Sequence, residues 1–438
     1  MQVVCERRVV ATTALVLAAV LSIADVSRAD SFTPGDLVVY RVGDESAPLA
    51  NTGNPVFLDE YTTNGDFIQS IALPTVASGN NHPLIASGTA ESEGMLTRSI
   101  DGQYLLLTGY SISPPSAMKL ADTAAADVPR VVGRVGFDGK VDTSTVLTDF
   151  SDSNNPRCAV SIDGTGVWLA GASGGVRYTT IGSTSSVSLS SDSKNLQAIS
   201  IFGGQLYASS QKGDLRVATV GSGLPTTAGQ HIVNLPGFPT TGAPDGFFLA
   251  DLDSTPGFDT LYVADDTTND GEIQKYSLVD GSWTATGVIT AAYVRGLAAT
   301  VSGKTVTLYA TSNGLKGISG TLYMYEDRSG YNGLVSGVAT TIASALSSQG
   351  FRGVALAPEP GAVDPTPTPT TTPGGTCVGD CDGSGDVSVS DLIAMVNIAL
   401  GSAPIDGCLA GDTNGDGTIS VPEIVTAVGS ALNGCTAG

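Results

Sequence analysis

The chain has 438 residues, only 14% of them charged, yet these sum to a formal net charge of −22 at pH 7. That balance excludes nucleic acid and anionic membrane surfaces as partners, because both would repel it. With two histidines in all, His82 and His231, there is little room for chemistry that relies on imidazole.

The N-terminus carries Arg7 and Arg8, the apolar run "VVATTALVLAAVLSIA", and then "VSRAD", with Ser27 and Ala29 at −3 and −1. This pattern predicts a signal peptide over residues 1–29 and a secreted, extracellular or cell-surface protein of bacterial type. The run is short for a membrane span. No Cys follows it to carry a lipid anchor.

Residues 30–358 are predicted to be β throughout. The stretches "MLTRSIDGQYLLLTGY" (95–110), "RCAVSIDGTGVWLAG" (157–171), "LQAISIFGGQLYASS" (196–210), "GFFLADLDSTPGFDTLYVADD" (246–266) and "VRGLAATVSGKTVTLYATSN" (294–313) each set two β-rich runs about a tight turn. Asp-Gly, Gly-Gly and Ser-Gly turns of this kind favour hairpins. A further hairpin, such as "GEIQKYSLVDGSWTATGVI" (271–289), follows each one. "FRGVALAP" (351–358) resembles "VRGLAATV" (294–301), while "GDLVVYRVGD" (35–44) and "PVFLDEYTTNGDFIQSIALP" (55–74) supply three strands at the other end. One C-terminal strand joined to three N-terminal ones would seal a ring. The predicted fold is therefore mainly β: a six-bladed β-propeller, with seven or eight blades as alternatives, followed by a small α-helical calcium module. A pair of β-sandwiches or a β-helix is the competing architecture.

Propellers place ligands at the mouth of the central channel, where the first strands begin. Glu93, Arg157, Asp245, Arg295 and Arg352 each stand near the start of an apolar strand. Three arginines facing two carboxylates suit an acidic ligand such as a uronic acid. Strand-start charges that pair with one another are the simpler reading. "DLDSTPGFD" places Asp251, Asp253, Thr255 and Asp259 at calcium-loop positions and looks somewhat like an FG-GAP repeat. Gly257 is out of register, however, and a plain turn explains the stretch. "GASGG" formally matches a nucleophile elbow at Ser173 but lacks the strand-to-helix context. "DDTTNDGE" (265–272) reads as a solvated turn. No spacing selects catalytic residues, and no carboxylate pair for glycoside cleavage stands out. Cys158, inside an apolar strand, is expected to be a buried free thiol.

Residues 359–376, "EPGAVDPTPTPTTTPGGT", alternate Pro and Thr and predict an extended spacer. Beyond it, residues 377–438 carry eight acidic residues and no basic one. Two twelve-residue loops recur there at an offset of 32. Calcium takes six to eight oxygens from such a loop, supplied at positions 1, 3, 5, 7, 9 and 12 around a Gly at 6. The first loop offers Asp380, Asp382, Ser384, Asp386, Ser388 and Asp391 about Gly385. The second offers Asp412, Asn414, Asp416, Thr418, Ser420 and Glu423 about Gly417. Two Ca²⁺ sites are predicted. Each loop runs into an amphipathic helix, but Pro and Gly before each loop forbid an entering one. Cys377, Cys381, Cys408 and Cys435 read as two disulfides, with three connectivities open.

A duplicated loop-then-helix unit of this kind resembles a type I dockerin, over roughly residues 377–438. The second loop ends in Glu423 where dockerins usually carry Asp, and neither helix has a Lys or Arg. The resemblance implies a cohesin-like or cell-surface partner. Two functions from different classes follow. One is a non-catalytic secreted propeller, for ligand binding (a glycan, for example) or surface assembly, joined to a calcium-dependent module. The other is an extracellular polysaccharide-degrading enzyme docked through a dockerin–cohesin interaction.

Overall fold

A computed structural model describes residues 30–267, 271–314, 317–361 and 377–434. The predicted signal peptide, residues 362–376 of the spacer, part of "DDTTNDGE" and Cys435 lie outside them. The chain divides into two compact units, Met1–Gly361 and Ala362–Gly438. Among the described residues no helix is long and apolar enough to cross a membrane.

The first unit is mainly β and propeller-like. Its strands run in antiparallel succession: Pro156–Ser161 pairs with Gly166–Gly171, which continues through Val176–Thr180 to Val187–Ser190. The same order joins Ile199–Phe202 to Ile232–Asn234 and Pro244–Ala250 to Ser282–Thr290. It also joins Val294–Ser302 to Thr340–Ser344. The expected hairpins all form. Short turns close them: at Asp280 and Gly281, for example, both residues have positive φ (49° and 77°), as a type I′ turn requires.

An inner strand is buried on both faces where a neighbouring sheet covers each side. Pro156–Ser161 is buried at every position, whereas outer strands such as Phe67–Ala72 are largely exposed. Leu106, Val132 and Leu147 pack against Ala159, Val167 and Leu169 of the next sheet. Tyr262, Ile273 and Ile289 meet Val294, Val306 and Leu308 in the same manner. The ends of the unit meet as the strand patterns implied. Gly350–Leu356 pairs antiparallel with Leu37–Val42, placing Leu37 opposite Leu356. Leu37, Val39, Phe351 and Val354 then pack on Tyr309 and Leu322. One departure is Val335–Val338, which runs parallel to Ser282–Thr290 and extends that sheet to five strands.

The second unit contains helix α1 (Val389–Ala399) and helix α2 (Val421–Asn433). Ser388 with Asp391, and Ser420 with Glu423, form a capping box at each N-terminus, satisfying backbone donors that the helix cannot. The core is small: Val387, Met395, Ile398, Ile419 and Ala427 pack with Cys377 and Cys408.

Candidate functional sites

Near the start of the inner strands one position recurs around the channel. It is occupied by Glu93, Arg157, Gln197, Asp245, Arg295 and Arg352, and in each case a small residue follows: Gly94, Cys158, Ala198, Gly246, Gly296 and Gly353. The small residues let neighbouring backbones approach. A Cβ on Gly353 would lie 2.2 Å from the Leu96 nitrogen, and one on Gly246 2.7 Å from the Arg295 carbonyl oxygen. The close approach is used for hydrogen bonds between strands, Gly353 N–H to Gly94 O at 2.8 Å and Met95 N–H to Arg157 O at 3.1 Å. Close backbone approach at a small residue thus recurs beside Glu93, Asp245, Arg295 and Arg352. Gln197 was missed because it is uncharged. Its signal was the polar–small–apolar pattern "QAIS", shared with "RCAV", "RGLA" and "RGVA".

The charges pair unevenly. Arg295 donates to Asp245 at 3.3 Å and also to Asp266, and stands 3.8 Å from Glu91. Glu93 accepts the Tyr110 hydroxyl at 2.7 Å and the Ser87 N–H at 3.0 Å. Burial raises the pKa of Glu93 despite those donors. Burial likewise pushes the Asp245 carboxyl up to about 7, against the pull of Arg295. Arg157 and Arg352 have no carboxylate within 4.0 Å among the described residues. Desolvation pushes each guanidinium down to about 10.

Towards the other end of the inner strands the channel turns apolar. A cavity of about 270 Å³ is lined by six chain segments, among them Leu96, Phe202, Phe247, Phe248, Leu297 and Leu356. Cys158 is a buried free thiol, as expected, and burial pushes it up to about 12. Asp251, Asp253 and Asp259 do converge, but Asp259 accepts the Leu252 and Asp253 N–H groups as an ordinary turn would. Ser173 donates to the Asp152 carbonyl at 2.9 Å, with no base among its hydrogen-bond partners.

In the second unit both acidic loops fold alike. Asp380 accepts the N–H of Ser384 at 3.0 Å and of Gly385 at 2.8 Å. Asp412 accepts those of Asp416 at 3.2 Å and Gly417 at 2.8 Å. The position-6 glycines have φ of 93° and 81°, a conformation costly for any residue with a Cβ. Asp391 accepts the Cys381 N–H at 3.1 Å and the Ser388 N–H at 2.8 Å. Glu423 accepts the Thr413 N–H at 2.9 Å and the Ser420 N–H at 2.8 Å. These donors hold Glu423 down to about 2, with the Ser420 N–H first among them. Carboxylate oxygens of Asp380, Asp382 and Asp391 lie within 4.8 Å of one another. Oxygens that share a calcium at 2.3–2.6 Å satisfy that limit, so these three carboxylates of the first loop could hold such an ion. Val387 and Ile419, at position 8, are buried in the module core.

Of the cysteines, Cys381 and Cys408 are disulfide-bonded, which excludes two of the three connectivities left open. Cys377 is disulfide-bonded as well.

No protein-family model matches this chain, and no curated protein matches it. Among solved structures it is similar to a nidogen/laminin complex, at 13% identity over 74% of this chain and 98% of that one, with a TM-score of 0.41. It is also similar to a structure described as a 6-phosphogluconolactonase from Bacteroides fragilis, at 12% identity over 73% and 97%, TM-score 0.41. A GH74 enzyme from Niastella koreensis matches at 11% over 72% and 46%, TM-score 0.36. Likenesses this weak carry no weight on function.

Proposed function

We propose that this is a secreted calcium-binding protein in which a non-catalytic propeller of six blades is joined to a dockerin-like module. The observation that carries the reading is the duplication of a complete loop network at an offset of 32 residues, down to the donors on Asp391 and Glu423. Asp380, Asp382, Ser384 and Asp391 would hold one ion, and Asp412, Asn414, Asp416 and Glu423 the other, with the carbonyls of Asp386 and Thr418. The ion would supply charge neutralisation and order, since clustered carboxylates in so small a core repel one another when empty. Six blades are supported if the nine-stranded sheet, which holds both the seam strand Gly350–Leu356 and the inner strand Thr97–Arg98, is counted as two blades beside three four-stranded sheets and one of five. The propeller is taken as a binding module because Glu93 and Asp245 are buried against donors and arginine, as structural carboxylates are.

The module's outer surface supports docking to a cohesin-like protein. Val389 and Ile393 on α1 and Leu400 at its C-cap are 72%, 56% and 74% exposed, and the equivalent Val421, Val425 and Leu432 on α2 are 72%, 64% and 80% exposed. Single exposed apolar residues are ordinary, but one stripe repeated on two helices marks an interaction surface. In a tail without a cation, it suits a partner whose apolar patch is rimmed by Lys and Arg.

Differential scanning calorimetry of the full chain tests the calcium reading. Chelation should lower the melting of the C-terminal module and leave the propeller transition in place. An unchanged melt after complete calcium removal would contradict it. Titration against a panel of type I cohesin modules tests the docking. Calcium-dependent binding lost in Val425→Asp is expected, and no binding to any of them would rule it out.

A further inference from the structure

We propose that the channel mouth binds a small hydroxylated carboxylate through the buried, unpartnered Nε–Nη2 edge of Arg157, with Arg352 and Arg295 supplying positive charge around it. Arg157 is 8% exposed. One of its terminal nitrogens, Nη1, donates to Asn195 Oδ1 at 2.6 Å and to the Leu196 carbonyl at 2.9 Å. Its Nε has no partner, and Nη2 makes no hydrogen bond among the described residues. The Nε–Nη2 edge carries two parallel N–H groups, the geometry that grips a planar carboxylate in two bonds.

The surroundings point the same way. Arg352, 2% exposed, also has an unpartnered Nε, and its Nη2 reaches the Ser87 and Gly88 carbonyls only at 3.4 and 3.3 Å. Arg295 repels both guanidinium groups, although Asp245 attracts Arg157 and Glu93 attracts Arg352 more strongly from beyond contact distance. Asp245 and Asp266 are engaged by Arg295, and Glu93 by Tyr110 and Ser87. A buried guanidinium with no carboxylate in contact is costly, and a bound carboxylate would relieve it. Next to Leu196, Gln197 is buried with its Oε1 unpartnered. That oxygen would accept a ligand hydroxyl, which selects a hydroxy acid or hexuronate over a simple anion. The site lies wholly within the propeller unit and is independent of calcium binding.

Calorimetric titration of the full chain, in calcium buffer, with galacturonate, glucuronate, galactose and inorganic phosphate tests this. The hexuronates should bind and raise the melting temperature of the propeller, while galactose and phosphate should not. Arg157→Lys keeps the charge but loses the paired N–H edge, and should weaken hexuronate binding by about tenfold or more. Arg328→Gln, at an exposed pair with Glu326, should change nothing. Arg157→Gln should leave the unliganded melt unchanged or raise it, because it removes a buried charge with no carboxylate in contact. Failure of both hexuronates to bind, phosphate binding in their place, or full binding by Arg157→Lys would overturn the assignment. A lowered unliganded melt in Arg157→Gln would overturn it too, showing a purely structural arginine.

Discussion

Asp391 and Glu423 do the same work in two loops of different sequence. Each carboxylate takes the N–H of the second loop residue on one oxygen and the N–H and hydroxyl of a serine N-cap on the other. Each thus ties the loop's beginning to its helix. The extra methylene of Glu423 lets it reach a cation with both oxygens, as Glu at position 12 does in calcium loops. The two sites should therefore differ in affinity. Glu423→Gln should remove the tighter phase of a calcium titration, and Asp391→Asn the weaker one, each by about tenfold or more.

The Cys381–Cys408 disulfide closes 27 residues between the two loops. A bridge of that span restricts the unfolded chain by about 3 kcal/mol. Cys408→Ser, compared by denaturant unfolding in calcium buffer, should destabilise the C-terminal module by roughly that amount. The propeller transition should keep its midpoint.

Gly353 has no room for a side chain where its strand meets the neighbour carrying Leu96, since an added Cβ would lie 2.2 Å from backbone. Gly353→Ala should cost about 1–3 kcal/mol in propeller stability, by forcing the inner strands apart. Gly204→Ala is a useful contrast: its Cβ would meet nothing within 4 Å, although φ is 74°. Its cost should come from the turn alone, about 1 kcal/mol.

Lys275 and Asp327 form an ion pair at 2.8 Å with side chains 0% and 1% exposed. Asp327 also accepts the Tyr262 hydroxyl, and Lys275 donates to Ser329 and the Gly330 carbonyl. Lys275→Ala should cost about 3–5 kcal/mol, because it strands a buried carboxylate. The double variant Lys275→Met with Asp327→Leu should recover most of that loss in urea unfolding.

The pH dependence of the propeller should carry the signature of Asp245. Burial raises its carboxyl from 3.8 to about 7, so the folded chain holds this proton more tightly than the unfolded chain. Its stabilising contribution is complete below about 3.8 and is lost as the pH rises through about 7. Asp245→Asn should flatten the fall in propeller melting temperature across that window. The slope that remains belongs to Glu93, Asp266 and Asp36, raised in the same direction by burial.

The sequence was most informative where chemistry is local. A calcium loop needs particular oxygens and a Gly within twelve residues, so Asp380 to Asp391 and Asp412 to Glu423 could be placed by counting. Hairpins were legible for the same reason, and the "FRGV" and "VRGL" likeness pointed to a shared first-strand role. What the sequence could not supply was the pairing of distant charges. That Arg295 takes both Asp245 and Asp266, leaving Arg157 and Arg352 without a carboxylate, depends on how four separate strands converge. Gln197 escaped notice because an uncharged residue carries no signal until its neighbours around the channel are known. The apolar cavity at Phe202, Phe247 and Phe248 was hidden too, since those residues read simply as core.

The central claim, two calcium ions held by the duplicated loops, is tested most directly by isothermal titration of calcium into the metal-free full chain, alongside the variant carrying both Asp380→Asn and Asp412→Asn. The account predicts two ions bound per chain, and none in the double variant. Zero ions in the native chain, or two retained after both position-1 aspartates are removed, would contradict it.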